Sequence, residues 1–220
     1  MNRRRALAVI GTVGMGGVAG CLGEEGFEYV AEPAVVSGAV DRGYEVEGPE
    51  QLEFNETIEA GGIEQDVHIR TWSATYASPD DEASLFLFST PDVSVAGISA
   101  NPLARLSGAD LIARVLNEGL GGADSEGGIQ DIEVEDEIEL TVLGEPRTVQ
   151  LFSAVFETDG ADIPSEAQAA GEDDGIPILL YVLSISHEDD VILSVGLHPE
   201  MIEAGDDIQA LMEAIEHPAQ

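Results

Sequence analysis

The one thiol in the chain belongs to Cys21, the only cysteine among 220 residues. Since a lone cysteine cannot form a disulfide within its own chain, its sulfur is available for other covalent chemistry. An apolar run from Ala6 to Ala19 precedes it and follows three adjacent basic residues, Arg3, Arg4 and Arg5. A basic start and a short apolar run are typical of a secretory signal peptide. Residues 1–20 are therefore predicted to be a signal peptide that export removes.

The alternative for the same run is a transmembrane anchor. The 14 residues from Ala6 to Ala19 would form a helix of about 21 Å, whereas the hydrocarbon core of a bilayer is roughly 30 Å thick. Four glycines also interrupt the run. Its length and composition therefore favour a signal peptide over a membrane span.

The residues around the thiol, Val18-Ala19-Gly20-Cys21, resemble the lipobox of prokaryotic lipoproteins, although Val18 stands where leucine is preferred. This resemblance implies a diacylglyceryl thioether on Cys21, and two acyl chains hold a protein at a membrane more firmly than one. The basic start is similar to a twin-arginine signal. Asn2 and Ala6 depart from that pattern, so the twin-arginine route and the general secretory route both stay open.

Histidines are the next candidates for chemistry, and their spacing along the chain matches no zinc pattern. They are His68, His187, His198 and His217. His187 and His198 are the pair that a predicted hairpin could bring together. We nevertheless expect ordinary surface imidazoles, with no metal and no other cofactor.

Acidic residues cluster at several places, and carboxylates in loops can bind Ca²⁺ or Mg²⁺. The spacing of a calcium-binding EF-hand is absent, and so are the sequence motifs of serine hydrolases, zinc proteases and nucleotide-binding loops. With 44 acidic residues in the chain, clusters arise from composition alone. We therefore predict no catalytic residues and expect solvated surface at Asp80-Asp81-Glu82, Glu133–Glu139, Glu172-Asp173-Asp174 and Glu188-Asp189-Asp190.

The charge balance is extreme, because 44 acidic residues face eight arginines and no lysine. Without residues 1–20 the chain keeps five arginines and every acid, which gives a formal charge of −39. Such a surface repels itself in dilute buffer, but at roughly 1 M salt the Debye length falls to about 3 Å and exposed charges are screened. The composition resembles that of haloarchaeal proteins. The alternative is an acidic mimic of nucleic acid or a cation buffer. Direct binding of nucleic acid is not expected, because no basic surface is available to neutralise phosphates.

The elements that follow are mostly strands. Alternating or continuous apolar patterns predict seven of them, and tight turns pair most of them into hairpins. A capping pattern from Ser107 predicts a mid-chain helix, and the spacing of Ile208, Leu211, Met212 and Ile215 predicts a C-terminal one. The predicted strands are 51–59, 63–77, 84–89, 129–142, 149–157, 176–186 and 191–197.

These elements predict an α+β fold, with an antiparallel β-sheet of about six to seven strands, one mid-chain helix and one C-terminal helix. The order of elements resembles the PsbP-type fold. Gly43-Tyr44, Gly196-Leu197-His198-Pro199 and the lipobox are similar to those of an uncharacterised family of haloarchaeal lipoproteins. The expected organisation is a signal peptide over 1–20, a lipidated cysteine with an acidic tether over 21–33, and a single domain over 34–220.

The functional expectation is a cell-surface, membrane-anchored lipoprotein that acts as a non-catalytic binding or accessory module. Its partners would be the membrane, through the lipid on Cys21, and either another envelope protein or a small ligand whose identity stays open. It would lie on the extracellular face of the cell membrane. Two alternatives remain: a hydrolase that uses carboxylates in the polar stretch 158–175 or near His198, and a structural envelope protein.

Overall fold

A computed structural model of the chain describes residues 27–60, 63–79, 83–95, 98–99, 112, 129–156 and 175–219. Strands dominate these residues. They are β1 (Phe27–Val30), β2 (Val35–Val36), β3 (Glu45–Ala60), β4 (Ile63–Ala77), β5 (Ser84–Pro91), β6 (Ser94–Val95), β7 (Ile98–Ser99), β8 (Ile129–Val142), β9 (Glu145–Phe156), β10 (Ile176–His187), β11 (Asp190–Pro199) and β12 (Ile215–Glu216). Helix α1 spans Gly205–Glu213, and a 3-10 turn spans Val40–Arg42.

The main sheet has eight strands, in the order β3, β4, β5, β11, β10, β9, β8, with β1 also paired to β4. All neighbours are antiparallel except β1 and β4, which run parallel. Strand β5 pairs with β4 from Ala77 to Trp72, and β1 takes the place beside β4 from Arg70 to Val67. The same side of β4 is thus used by two different strands.

The central strands are covered on both faces, as the continuous apolar run in β5 predicts. Leu85 and Leu87 lie in a core cluster on one face, and Phe86 and Phe88 lie in a second cluster on the other. Ile112, the one described residue of the stretch 100–128, is fully buried in the second cluster. Both faces of the central strands are therefore buried.

Helix α1 covers the first face. Its apolar residues repeat at helical spacing, and Ile208, Leu211 and Met212 are buried in the first core cluster. Two acids, Asp206 and Asp207, lie in its first turn, where the positive end of the helix dipole favours them. The prediction of a C-terminal amphipathic helix is confirmed.

Contact between the helix and the sheet depends on a glycine in β11. A Cβ atom on Gly196 would lie 2.3 Å from Cγ2 of Ile208, so Gly196→Ala forces the helix away from the sheet. We expect the free energy of unfolding to fall by about 1–3 kcal/mol, measured by denaturant titration at high salt. Ser194→Ala in the same strand is the control, because the buried Ser194 hydroxyl has no described partner to lose.

A second substitution, at Ile208, should relieve the clash that Gly196→Ala creates. Ile208→Ala removes the atom that a methyl group at position 196 would strike. The double variant Gly196→Ala with Ile208→Ala should therefore lose less free energy of unfolding than the sum of the losses in the two single variants. A strictly additive pair would show that the contact between Gly196 and Ile208 is not what limits the approach of helix to sheet.

The pairing of strand β8 with β9 is irregular. Its register against β9 shifts twice, between Gln130 and Glu133 and between Val134 and Asp136, which is the signature of β-bulges. Ile138 packs on the first core cluster and Ile132 on the second. Ile132 and Ile138 therefore lie on opposite faces of the sheet, although an uninterrupted period-two alternation would put both on one face.

The predicted α+β class is wrong, and with it the PsbP-like arrangement. Among the residues that the structure describes, 68% lie in strands and 10% in helices, and the main sheet is mixed. The one helix described over its length is α1, and the predicted mid-chain helix lies outside the described residues apart from Ile112. The strands are up to 16 residues long, so they contain many more residues than the helix. The parallel strand β1 could not be recognised in the sequence because it is short and is not part of a hairpin. No helix in the described ranges is long and apolar enough to cross a membrane.

Candidate functional site

The residues predicted to carry the membrane anchor lie outside the described part of the chain. These are Cys21, the lipobox residues Val18, Ala19 and Gly20, and the export arginines Arg3, Arg4 and Arg5. The described domain begins with β1 at Phe27, inside the range assigned to the tether. The polar stretch 158–175 is also outside the description except for Gly175.

The most unusual side chain in the described residues is the buried carboxylate of Asp190, which is the first residue of β11 and only 5% exposed. One oxygen, Oδ2, accepts the backbone N–H of Glu32 at 2.8 Å and lies 3.0 Å from Nε2 of His217. Because the carboxylate can only accept, Nε2 of His217 carries the shared proton. Asp190, Glu32 and His217 form what we call the Asp190 junction.

The Asp190 junction joins both ends of the domain to the sheet. Glu32 lies just after β1, and His217 lies just after β12. The short strands β2 and β12 pair with each other, through Val36 and Ile215. The backbone N–H of Ala219 also donates to the carbonyl of Pro33 at 2.8 Å. The N-terminal and C-terminal segments therefore meet at one carboxylate.

Burial sets the electrostatics of this junction. Desolvation raises the pKa of the Asp190 carboxyl; the hydrogen bonds from Glu32 and His217 act in the opposite direction and do not cancel it. The side chains of His217 and Asp190 are 1% and 6% exposed. Nδ1 of His217 is buried without a hydrogen-bond partner among the described residues. The ring of His187 lies edge-on to that of His217, with centroids 5.5 Å apart.

An aspartate that orients a histidine is also found where histidine transfers protons. Such a role needs a reacting group within hydrogen-bond reach of the second ring nitrogen, and none is described beside Nδ1 of His217. What the geometry does provide is a closed connection between the two termini and β11. Among the described residues, no group of three metal-binding side chains is close enough to hold an ion.

The raised pKa of Asp190 predicts a pH effect on stability. The folded state holds this proton more tightly than the unfolded state, so the stabilising contribution is complete below the unfolded pKa of about 3.9 and is lost as pH rises through the raised folded value. Relative to Asp190→Asn, the parent should therefore lose free energy of unfolding as pH rises through this window. Denaturant titrations of both proteins at several pH values in high salt measure the difference. A constant difference would contradict the assignment.

A second buried histidine, His198, lies at the other end of β11. Its Nδ1 donates to the carbonyl of Pro199 at 2.8 Å, so Nε2 is the acceptor for the hydroxyl of Tyr181 at 3.4 Å. Burial raises the pKa of Tyr181, and the negative charge of Asp206 adds to the effect. A Cβ on Gly205 would clash with the Tyr181 hydroxyl oxygen. The first residue of α1 therefore packs directly against the Tyr181–His198 pair.

The β10–β11 hairpin does not bring His187 and His198 together. In the β10–β11 hairpin His187 pairs with Asp190, whereas His198 pairs with Leu179. Eight residues of strand separate the two positions, which is about 26 Å. The histidine that approaches His187 is His217, from the C-terminal segment.

The acidic clusters divide into two kinds. Glu188 and Asp189 are exposed, and so are the acids of β8, which agrees with a solvated surface. Asp190, next in sequence, is buried. Sequence reasoning placed Asp190 in the exposed turn; the available signal was its position directly before the apolar run of β11. The clusters at 80–82 and 172–174 lie outside the described residues.

Comparison with known proteins identifies a family for this chain but no activity. No curated protein matches the chain. A family model described as a domain of unknown function, DUF6517, matches residues 32–216. This range covers most of the chain, from the Asp190 partner Glu32 to β12. The chain therefore belongs to the DUF6517 family.

Proposed function

We propose that this chain is a lipid-anchored protein of the cell surface that acts as a non-catalytic binding or accessory module in a high-salt, haloarchaeal setting. The observation that carries the proposal is the lipobox-like Val18-Ala19-Gly20-Cys21 at the end of a short apolar leader. The anchor places the domain on the extracellular face of the membrane. Another envelope protein is the expected partner.

The composition supports the high-salt part of the proposal. With 44 acids, eight arginines and no lysine, the surface needs screening by salt to remain compact. The two outer strands of the sheet carry many of these acids. The exposed acids are Glu45, Glu47, Glu50 and Glu53 in β3, and Asp131, Glu133, Glu135, Asp136, Glu137 and Glu139 in β8. Exposed charges on an edge strand also prevent uncontrolled pairing with other sheets.

The arrangement of the sheet supports a binding role. Both faces of its central strands are covered, so contact with a partner would use the strand edges and turns. These surfaces are polar and acidic, and a partner with basic or hydrogen-bonding groups fits them. Crosslinking in intact cells at high salt, followed by purification of the full chain, should recover the same envelope protein reproducibly. Recovery of the chain alone would contradict the accessory role.

The anchor itself is tested by Cys21→Ser. We expect this variant to leave the membrane fraction and appear in the soluble or secreted fraction, because the sulfur that carries the lipid is gone. Val18→Leu is the matched control, since it changes the adjacent motif toward the preferred residue and should remain in the membrane. A Cys21→Ser protein that stays in the membrane as firmly as the parent would contradict the anchor.

A further inference from the structure

The direction of β1 fixes where the N-terminal segment enters the domain. Strand β1 runs parallel to β4, and Phe27 pairs with Val67. The starts of both strands therefore point to the same end of the sheet. That end carries the turn between β3 and β4, where Ala60 pairs with Ile63. We call it the β3–β4 turn end.

The entry point is firmly attached to the sheet. Arg70 of β4 forms an ion pair with Glu28 of β1, with Nη1 and Oε1 2.6 Å apart. The backbone N–H of Ala31 donates to the carbonyl of Arg70 at 3.0 Å. The indole N–H of Trp72 donates to the carbonyl of Ala31 at 2.9 Å. Phe27 is therefore a fixed point of the domain.

The distance from the anchor to this fixed point is short. Cys21 and Phe27 are six residues apart, and six residues in any conformation span at most about 21 Å. Along β4 the distances are unequal on the two sides of Val67. The turn at Ile63 is four residues away, about 13 Å, and the far end at Ala77 is ten residues away, about 33 Å.

We propose, on the basis of the anchor at Cys21, that the β3–β4 turn end is the part of the domain that lies against the lipid surface. With β4 along the membrane normal and the opposite end toward the lipid, Ala77 would lie about 12 Å below the membrane surface even if the tether were fully stretched. Charged and polar strand residues do not enter the hydrocarbon region. With the turn end toward the membrane, the 13 Å from Val67 to Ile63 fits within the reach of the tether.

The contact with lipid is polar and superficial. Near the turn, Thr57 and Asp66 are exposed, and the Thr57 hydroxyl donates to the Asp66 carboxylate at 2.9 Å. These groups suit hydrated headgroups, and the covalent lipid supplies the attachment. The opposite end, where Glu45 pairs with Ala77, is left free for a protein partner.

Two exposed positions of β3 test this orientation, Thr57 near the turn and Glu45 at the far end. The full chains carrying Thr57→Cys or Glu45→Cys are purified from membranes, labelled with a thiol-reactive fluorophore and reconstituted into phosphatidylcholine vesicles that contain a headgroup nitroxide lipid. The lipidated Cys21 has no free thiol, so only the introduced cysteine is labelled. We expect loss of fluorescence for Thr57→Cys and little change for Glu45→Cys.

Equal quenching of the two labels, or stronger quenching of Glu45→Cys, would overturn the orientation while the anchor stands. The parent chain is the control for the anchor. If the parent takes up the label at Cys21 and does not associate with vesicles, the proposed anchor fails, and the orientation fails with it. The two failures are therefore distinguishable.

Discussion

Transfer from roughly 1 M to roughly 0.1 M KCl is expected to lower the melting temperature by more than about 20 °C. For the chain without residues 1–20, the charge of −39 spread over a sphere of about 20 Å radius would repel itself by roughly 50 kcal/mol when the Debye length is 10 Å and by roughly 20 kcal/mol when it is 3 Å. Part of this difference cancels because the unfolded chain is also charged. The remainder is comparable with a typical total stability of about 5–15 kcal/mol.

The salt effect has a charge control in β8. Neutralising five exposed acids with Gln or Asn should weaken the salt dependence by about a quarter, because self-repulsion scales with the square of the charge. Exchanging Glu for Asp and Asp for Glu at the same positions keeps the charge and should keep the salt dependence. The five positions are Glu133, Glu135, Asp136, Glu137 and Glu139. Melting curves that are unchanged by salt in the parent would contradict the high-salt interpretation.

His217→Ala should lower the free energy of unfolding by about 3 kcal/mol. The change leaves the buried Asp190 carboxylate with only the backbone N–H of Glu32, and an unpaired buried charge is costly. The loss should become smaller as pH falls through the raised pKa of Asp190, because protonation of the carboxylate removes that charge. Denaturant titration at high salt measures the effect at several pH values.

Two comparisons separate the lost charge partner from lost packing. His187→Ala removes a half-buried ring that contacts His217 and should cost less than about 1 kcal/mol. Asp190→Asn combined with His217→Ala should cost less than the two single changes together, because no buried charge remains. If His217→Ala costs no more than His187→Ala, the Asp190 junction does not stabilise the domain.

The hairpin strands and the terminal helix could be predicted because their signals are local. Strands β3 and β4 alternate or run apolar around a two-glycine turn, and α1 repeats its apolar residues at helical spacing. Strand β1 could not be predicted in the same way. It has four residues, and its partner β4 begins more than 30 residues later, at Ile63.

The Asp190 junction could not be predicted from the sequence, for a related physical reason. Glu32 and Asp190 are 158 positions apart, and Asp190 and His217 are 27 apart. No spacing rule connects them, because three separate segments are brought together only by the completed sheet. The burial of Asp190 depends on the same event, so its residue type alone indicated an exposed turn. The face reversal in β8 could not be predicted, because the bulges between Gln130 and Glu133 and between Val134 and Asp136 leave no mark in the apolar pattern.

On the function proposed above, Cys21 carries the lipid that holds this domain at the cell surface. The most direct test is the intact mass of the full-length gene product purified from membranes. We predict a chain that lacks residues 1–20, begins at Cys21 and carries the added mass of a thioether-linked diacyl lipid. A chain that retains Met1, or one with an unmodified Cys21, would contradict the account.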